Sequence, residues 1–315
     1  MALHLVTGVA GFIGSSIARA LLKRGEQVRG VDNFATGKRE NISDILGQID
    51  FREADLLDAP AMQKACQGVE YVFHQAAIPS VPKSVLDPEG SNRANVDATV
   101  NILIAARDAD VKRVVYAASS SAYGDTPTLP KQEDMPPDPI SPYAVAKLAS
   151  EYYMVSFSRC YGLETVSLRY FNVFGPRQDP SSPYSGVLAK FITQMLRGEQ
   201  PTAFGDGSQS RDFTYIDNVV EANLMAATAP AANAAGRVFN IATGTRVDLN
   251  QAFLILKRLT GYSGSLKYAA EREGDIKHSL ADISRAGRQL GYKPTVHFEE
   301  GLRRTVEWYR ERERS

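Results

Sequence analysis

HLVTGVAGFIGSSIARALL, residues 4–22, sets Gly8, Gly11 and Gly14 between a short apolar run and a longer amphipathic one. The run before Gly8 reads as a strand and the run after Gly14 as a helix, so the glycines make the turn between them. Glycines let a backbone turn tightly and come close to a pyrophosphate, whose charge then meets the helix amino terminus. The G-x-x-G-x-x-G spacing is one residue longer in its first step than the G-x-G-x-x-G dinucleotide fingerprint, with the same physics. Asp32 ends the next strand, where a carboxylate accepts hydrogen bonds from an adenosine ribose and repels a 2′-phosphate. NAD is therefore expected over NADP. Asp55, in READLLD (52–58), is placed either to reach an adenine or to cap a helix.

Outward from this turn, short apolar runs at 3–7, 27–31, 49–53, 69–74, 111–118 and 163–169 read as strands. Amphipathic helical patterns lie between several of them, at 12–24, 95–109 and 143–161. Strands alternating with helices predict an α/β fold of Rossmann type, a doubly wound parallel sheet. From about residue 172 the pattern changes to Pro- and Gly-rich connections, as in FGPRQDPSSPYSG (174–186), around shorter elements. The expected division is a dinucleotide-binding domain over 1–170 and a smaller mixed α/β substrate domain over 171–315, with part of 212–242 returning to the first sheet.

The 315 residues are 43% hydrophobic and 23% charged, the balance of a soluble globular protein. Lys+Arg and Asp+Glu both number 36, so net charge gives no reason to expect nucleic acid or membrane partners. Cys66 and Cys160 are too few for a disulfide framework, MALHLVTG carries no signal-peptide pattern, and no apolar run reaches transmembrane length. These features predict a cytoplasmic protein. His4, His74, His278 and His297 show no metal-ligand spacing, so no metal is expected, and His74 reads as structural.

SPYAVAK, residues 141–147, places Tyr143 and Lys147 one helical turn apart. A free phenol titrates near 10, too high for a base at neutral pH. A neighbouring lysine and the positive charge of an oxidised nicotinamide would lower that value. Tyr143 could then take a hydroxyl proton as hydride leaves the same carbon. YAASSSAYG (116–124) follows the fifth strand, whose carboxyl end faces the nicotinamide in this topology. Its hydroxyls could bind the substrate oxygen and pass the proton, with Ser119 or Ser120 as the relay and Ser121 structural.

TGxxGFIG (7–14), the serine loop and YxxxK (143–147) together resemble the extended short-chain dehydrogenase/reductase family, over nearly the whole chain. Within it, LRYFNVFGPRQDP (168–180), GDGSQSRDFTYIDN (205–218) and REGDIKHSLAD (272–282) resemble the nucleotide-sugar epimerases, most closely the UDP-N-acetylglucosamine 4-epimerase branch. The resemblance implies a base at Tyr143, a nicotinamide-ribose contact at Lys147 and an assisting hydroxyl at Ser119. It implies an NAD site that includes Ala76, Asn95 and Tyr170, completed by Phe12, Ile13, Asn33, Thr36, Gly37, Leu56 and Ala77. For the UDP-sugar it implies diphosphate contacts at Arg211, Arg272 and Asn172, a uridine-ribose contact at Asp275, and a uracil site around Val187, Thr202 and Phe204. Ser80 and the serines 119–121 complete the substrate set.

Related 4,6-dehydratases carry an Asp-Glu pair after the relay residue, and related decarboxylases a Glu in the same loop. Here Ser120 and Ser121 stand there, and serine is too weak an acid or base for either reaction. What remains is oxidation at C4, rotation of the ketone and return of hydride to its other face. In this family the residue at Ser279 lies beside the sugar C2 substituent, and a small serine leaves room for an N-acetyl group. Ser279 could equally cap a helix over LADISRAGRQL (280–290). The expected reaction is thus reversible 4-epimerisation of UDP-N-acetylglucosamine and UDP-N-acetylgalactosamine, weaker on unacetylated sugars. Rival readings are UDP-glucose or uronic-acid epimerases, a net dehydrogenase or decarboxylase, and an NAD-binding sensor without catalysis. Phe171, Phe174 and Tyr184 could line the sugar pocket or pack the core. Ile102, Leu103, Ile104, Tyr152, Tyr153 and Phe157 widen the apolar faces of 95–109 and 143–161, and the resemblance implies a homodimer through those helices.

Overall fold

The computed structural model describes residues 1–180, 186–271 and 276–313. Six strands form in the predicted order: β1 (Leu3–Thr7), β2 (Gln27–Asp32), β3 (Asp50–Glu53), β4 (Tyr71–His74), β5 (Arg113–Ser119) and β6 (Glu164–Tyr170). They pair in parallel as β3-β2-β1-β4-β5-β6, and the strand Arg237–Ile241 adds in parallel beyond β6. The strands are apolar on both faces because both faces are covered. Leu5 and Val6 are adjacent and fully buried, yet they join different cores, one on each side of the sheet.

Six helices precede or flank these strands: α1 (Phe12–Lys23), α2 (Ala59–Cys66), α3 (Val81–Leu86), α4 (Pro88–Asn92), α5 (Ala98–Asp108) and α6 (Pro142–Tyr161). Ile17 and Leu21 of α1 pack one face, and Met62, Ile102, Leu103, Met154 and Phe157 of α2, α5 and α6 pack the other. Ile102, Leu103 and Phe157 therefore belong to this chain's own core. On these helices the large apolar side chains left exposed are Val145, Tyr152, Tyr153 and Tyr161 on α6, with Val81, Val85 and Leu86 on α3. A π-helical turn, Arg93–Asp97, joins α4 to α5 and overlaps the start of the segment expected as plain helix.

Strand order reverses between β1 and β4, which opens a crevice at their carboxyl ends. Beyond residue 170 the helix Val187–Leu196 and small sheets such as Thr202–Phe204 with Lys267–Ala269 form outside the seven-stranded sheet, which Arg237–Ile241 joins. Among the described residues no helix is long and apolar enough to cross a membrane.

Candidate active site

The glycine turn is tight. Gly8 leaves β1 with φ +67°, and Gly11 N–H donates to its carbonyl at 3.0 Å. A Cβ on Gly14 would lie 2.1 Å from the Gly8 oxygen, and one on Gly8 would lie 2.7 Å from the Ala76 nitrogen after β4. No side chain caps α1 at Gly11, so its first N–H groups remain available to an anion. A backbone cradle that any Cβ would fill, at the start of an uncapped helix, fits a dinucleotide pyrophosphate.

Asp32, at the end of β2, accepts from Ala10 N–H at 2.9 Å and Phe34 N–H at 2.8 Å. Burial pushes its carboxyl up, and these backbone bonds hold it back. A Cβ on Gly37 would approach the Asp32 oxygen at 2.9 Å, so the loop through exposed Thr36 closes over this carboxylate. Asp55 accepts from Asn33 Nδ2 at 2.9 Å and Leu57 N–H at 2.8 Å, while the cap of α2 is Asp58. The capping alternative for Asp55 is thereby removed. Phe12 and Ile13 are partly buried in the first turn of α1, Ala77 is partly buried after β4, and Leu56 is buried in the core. Asn95 sits in the π-turn and accepts from Ile78 N–H at 3.2 Å. The Tyr170 hydroxyl contacts Gln75 at 3.2 Å and Asn223 at 3.0 Å.

α6 starts where SPYAVAK suggests. Ser141 caps it by accepting from Ala144 N–H at 3.2 Å, Pro142 occupies the first turn, and Gly162 in the left-handed region ends it. Tyr143 N–H donates to Ser84 Oγ of α3 at 3.0 Å. Lys147 is buried; its amine donates to the Ala117 carbonyl of β5 at 2.9 Å and lies 4.7 Å from the Tyr116 ring centre. Burial lowers this lysine to about 7. Burial also raises the Tyr143 phenol, and a hydrogen bond from Ser119 works against that rise. Burial is thus the dominant effect at Tyr143, and it also moves the lysine itself toward neutrality. Ser121 Oγ donates to Ser119 Oγ at 2.8 Å, so the serine expected to be structural extends a chain that ends on Tyr143.

His74 bridges Thr7 at 2.7 Å and Thr99 at 3.0 Å, and burial drives it down to about 3. It is a neutral structural link. Ser80 caps α3, accepting from Lys83 N–H at 3.1 Å.

A cavity of about 130 Å³ brings Ser119, Ser120 and Ser121 together with Phe171, Asn172, Arg211 and Ser279. Tyr123, Gly124, Lys131, Ile276 and His278 complete its wall. A second cavity of about 70 Å³ holds Phe204, Asp206, Gln209, Glu271 and Lys277, and the two share Arg211 and Ile276. Val187 starts the helix Val187–Leu196 and Thr202 starts the strand Thr202–Phe204; neither lines these cavities. Phe174 packs against Phe213, Tyr215 and Phe298, which is core packing. Arg272, Asp275 and Tyr184 lie outside the described residues.

The wall of the larger cavity depends on Asp212, a residue that sequence reading overlooked. Its fully buried carboxylate accepts from Thr243 N–H (2.9 Å) and Oγ1 (2.7 Å), Gly244 N–H (3.0 Å) and Ala281 N–H (3.3 Å). Its backbone oxygen accepts from Asn172 Nδ2 at 3.2 Å, and the same amide reaches Ser279 Oγ at 3.3 Å. The signal was available: a carboxylate beside Arg211 in the Gly-rich motif. Ser279 is no helix cap, because the helix Ser284–Leu290 starts five residues later. Lys131 and His278 were also missed, since nothing local in PKQED or KHS points to a cavity.

With this geometry in place, comparisons with known proteins become specific. The chain belongs to the NAD dependent epimerase/dehydratase family, whose sequence profile matches residues 4–242. It is similar to the UDP-glucose 4-epimerase of Mycolicibacterium smegmatis, 38% identical over 97% of this chain and 98% of that one. Its structure resembles the UDP-N-acetylglucosamine 4-epimerase of Methanobrevibacter ruminantium in complex with UDP-N-acetylmuramic acid, with TM-score 0.94, 42% identity and coverage of 99% and 98%. It also resembles the UDP-glucose 4-epimerase of Thermus thermophilus in complex with NAD, with TM-score 0.88, 36% identity and coverage of 98% and 99%.

Proposed function

We propose that this protein is a UDP-sugar 4-epimerase with tightly held NAD, acting on UDP-N-acetylglucosamine and UDP-N-acetylgalactosamine. The observation that carries the reading is the larger cavity. Serines from the end of β5 face Asn172, Arg211 and Ser279 there, and no carboxylate is among its described lining residues. Related dehydratases carry an acid pair in the serine loop, and the serines Ser120 and Ser121 that stand there are too weak as acids or bases for elimination of water.

Gly8, Gly11 and Gly14 would hold the NAD pyrophosphate, and Asp32 the adenosine ribose. When bound, NAD supplies the hydride acceptor and donor for C4 and the positive charge of its oxidised ring. Tyr143 takes the C4 hydroxyl proton and returns it after the ketone has turned. Ser119, backed by Ser121, donates to the phenol oxygen and so stabilises its ionised form. Lys147 anchors the cofactor ribose from the base of the site. Arg211, shared by both cavities, suits the diphosphate between sugar and uridine.

Ser279 supports the N-acetyl preference, because its short side chain, held by Asn172, leaves the cavity wall open. Proton NMR of the purified protein without added NAD, given UDP-N-acetylglucosamine and UDP-glucose separately, tests the whole reading. The galacto epimer should form in both, faster from the N-acetyl sugar. Faster turnover of UDP-glucose would overturn the preference, and no epimer from either sugar would overturn the activity. The exposed Tyr152, Tyr153, Val145 and Leu86 support a second copy packed on α3 and α6. A monomer at micromolar concentration in sedimentation would exclude that arrangement.

A further inference from the structure

The geometry points to the Arg169–Glu151 pair as a positioning device that locks the serine turn to the helix of the base; we infer this role on top of the catalytic reading of Tyr143, Lys147 and Ser119. Arg169 lies on β6 opposite Ala118, next to the register position of Ser119. Its Nε and Nη2 donate to the two oxygens of Glu151 at 2.8 and 2.6 Å. Glu151 sits on α6 one turn beyond Lys147, and both side chains are at most 5% exposed. The guanidinium also lies 4.6 Å from the ring centre of Tyr123. Tyr123 closes the 3-10 turn Ser120–Tyr123, lines the larger cavity and donates to Asn240 Oδ1 at 2.7 Å.

One side chain thus grips both elements that handle the proton. Its bidentate bond fixes α6, which carries Tyr143 and Lys147. Its cation–π contact fixes the turn that Ser119 opens. Stability alone is a weak reason for this arrangement, since buried ion pairs are often replaced by hydrocarbon at no loss. Arg169 Nη1 is moreover buried without a hydrogen-bond partner, a cost the fold carries at this position. A rigid planar fork that also stacks on an aromatic ring is what arginine offers and lysine does not.

The test compares the holoenzyme with Glu151→Leu/Arg169→Met and with Arg169→Lys. Melting temperature, retained NAD, kcat and KM are measured for each. The double variant should melt close to the parent, keep its NAD and change KM less than about threefold, while kcat falls about tenfold or more, the effect expected of a loosened catalytic geometry. Arg169→Lys should fall between the two. Parental kcat in the double variant would overturn the proposal; should that variant not fold, parental kcat in Arg169→Lys would overturn it instead. A crystal structure of the folded variant gives a readout independent of turnover, so that failure of the epimerase reading is distinguishable. Displacement of Ser119 from Tyr143 is expected there, and superposable sites would refute the role.

Discussion

Gly14→Ala places one methyl group where the backbone has no room, and its effect follows from three distances. The new Cβ would meet Gly8 O at 2.1 Å, Gly8 C at 2.8 Å and Val9 Cα at 3.1 Å. Ordinary contact begins near 3.4 Å, so the turn must yield by more than 1 Å. Gly8 has little freedom to yield, being in the left-handed region and pressed against the backbone of Ala76. Such overpacking costs about 1–3 kcal/mol, against a gain of at most about 1 kcal/mol for alanine over glycine in a helix. A net loss of about 1–2 kcal/mol is expected, with a fall in melting temperature of roughly 1.5–3 °C. The same displacement moves the N–H groups of the cradle, so the purified variant should contain much less NAD, read from released cofactor absorbance. Gly47→Ala is the control, since its Cβ meets nothing within 4 Å and it has no positive φ. If Gly14→Ala kept both the melting temperature and the NAD content of the parent, the cradle reading would be wrong.

Two further perturbations address the other parts of the site. Asp212→Asn turns one acceptor oxygen into a donor facing N–H groups and should cost about 2–4 kcal/mol in urea unfolding, at roughly 1–3 kcal/mol for each hydrogen bond lost; a change below about 0.5 kcal/mol would deny Asp212 its place in the wall. Lys147 is lowered from 10.5 to about 7 in the fold, so between those values the unfolded chain binds the extra proton and stability should rise with pH. In protein stripped of NAD, Lys147→Met should remove this rise from pH 7 to 9, and parallel stability profiles for the two proteins would sink the assignment.

The first half of the fold was legible because its signals are local. Gly8, Gly11 and Gly14 punctuate a strand and a helix, and Ser141-Pro142 announces α6 with its own cap. Asp32 was correctly placed at a strand end and Asp55 just after one, but their partners were not, since Ala10, Phe34 and Asn33 meet them only once the loops close. The cavity wall was less legible for a related reason. Asp212 bonds residues 31 to 69 positions away, and Lys131 lies beside Ala281 through a bridge that no periodicity encodes. Ile102, Leu103 and Phe157 show the limit of apolar patterning, which marks a side chain for burial without saying in which chain. The burial of Tyr143 was not legible either, because charge proximity can be read from spacing, whereas desolvation requires the packed surroundings.

The sharing of Arg211 and Ile276 by the two cavities has a kinetic meaning. A ligand held at the base end and at its diphosphate is tethered, so its sugar revisits the reactive wall at an effective concentration in the millimolar range, roughly, for a short flexible connection. The sugar end therefore has no need of strong contacts, and strong contacts would hinder it from presenting its second face. Four serines, a glycine and one asparagine make up half of the lining of the larger cavity, short side chains that leave room for such a swivel. On the proposed reading, affinity would reside at one end of the ligand and freedom of movement at the other.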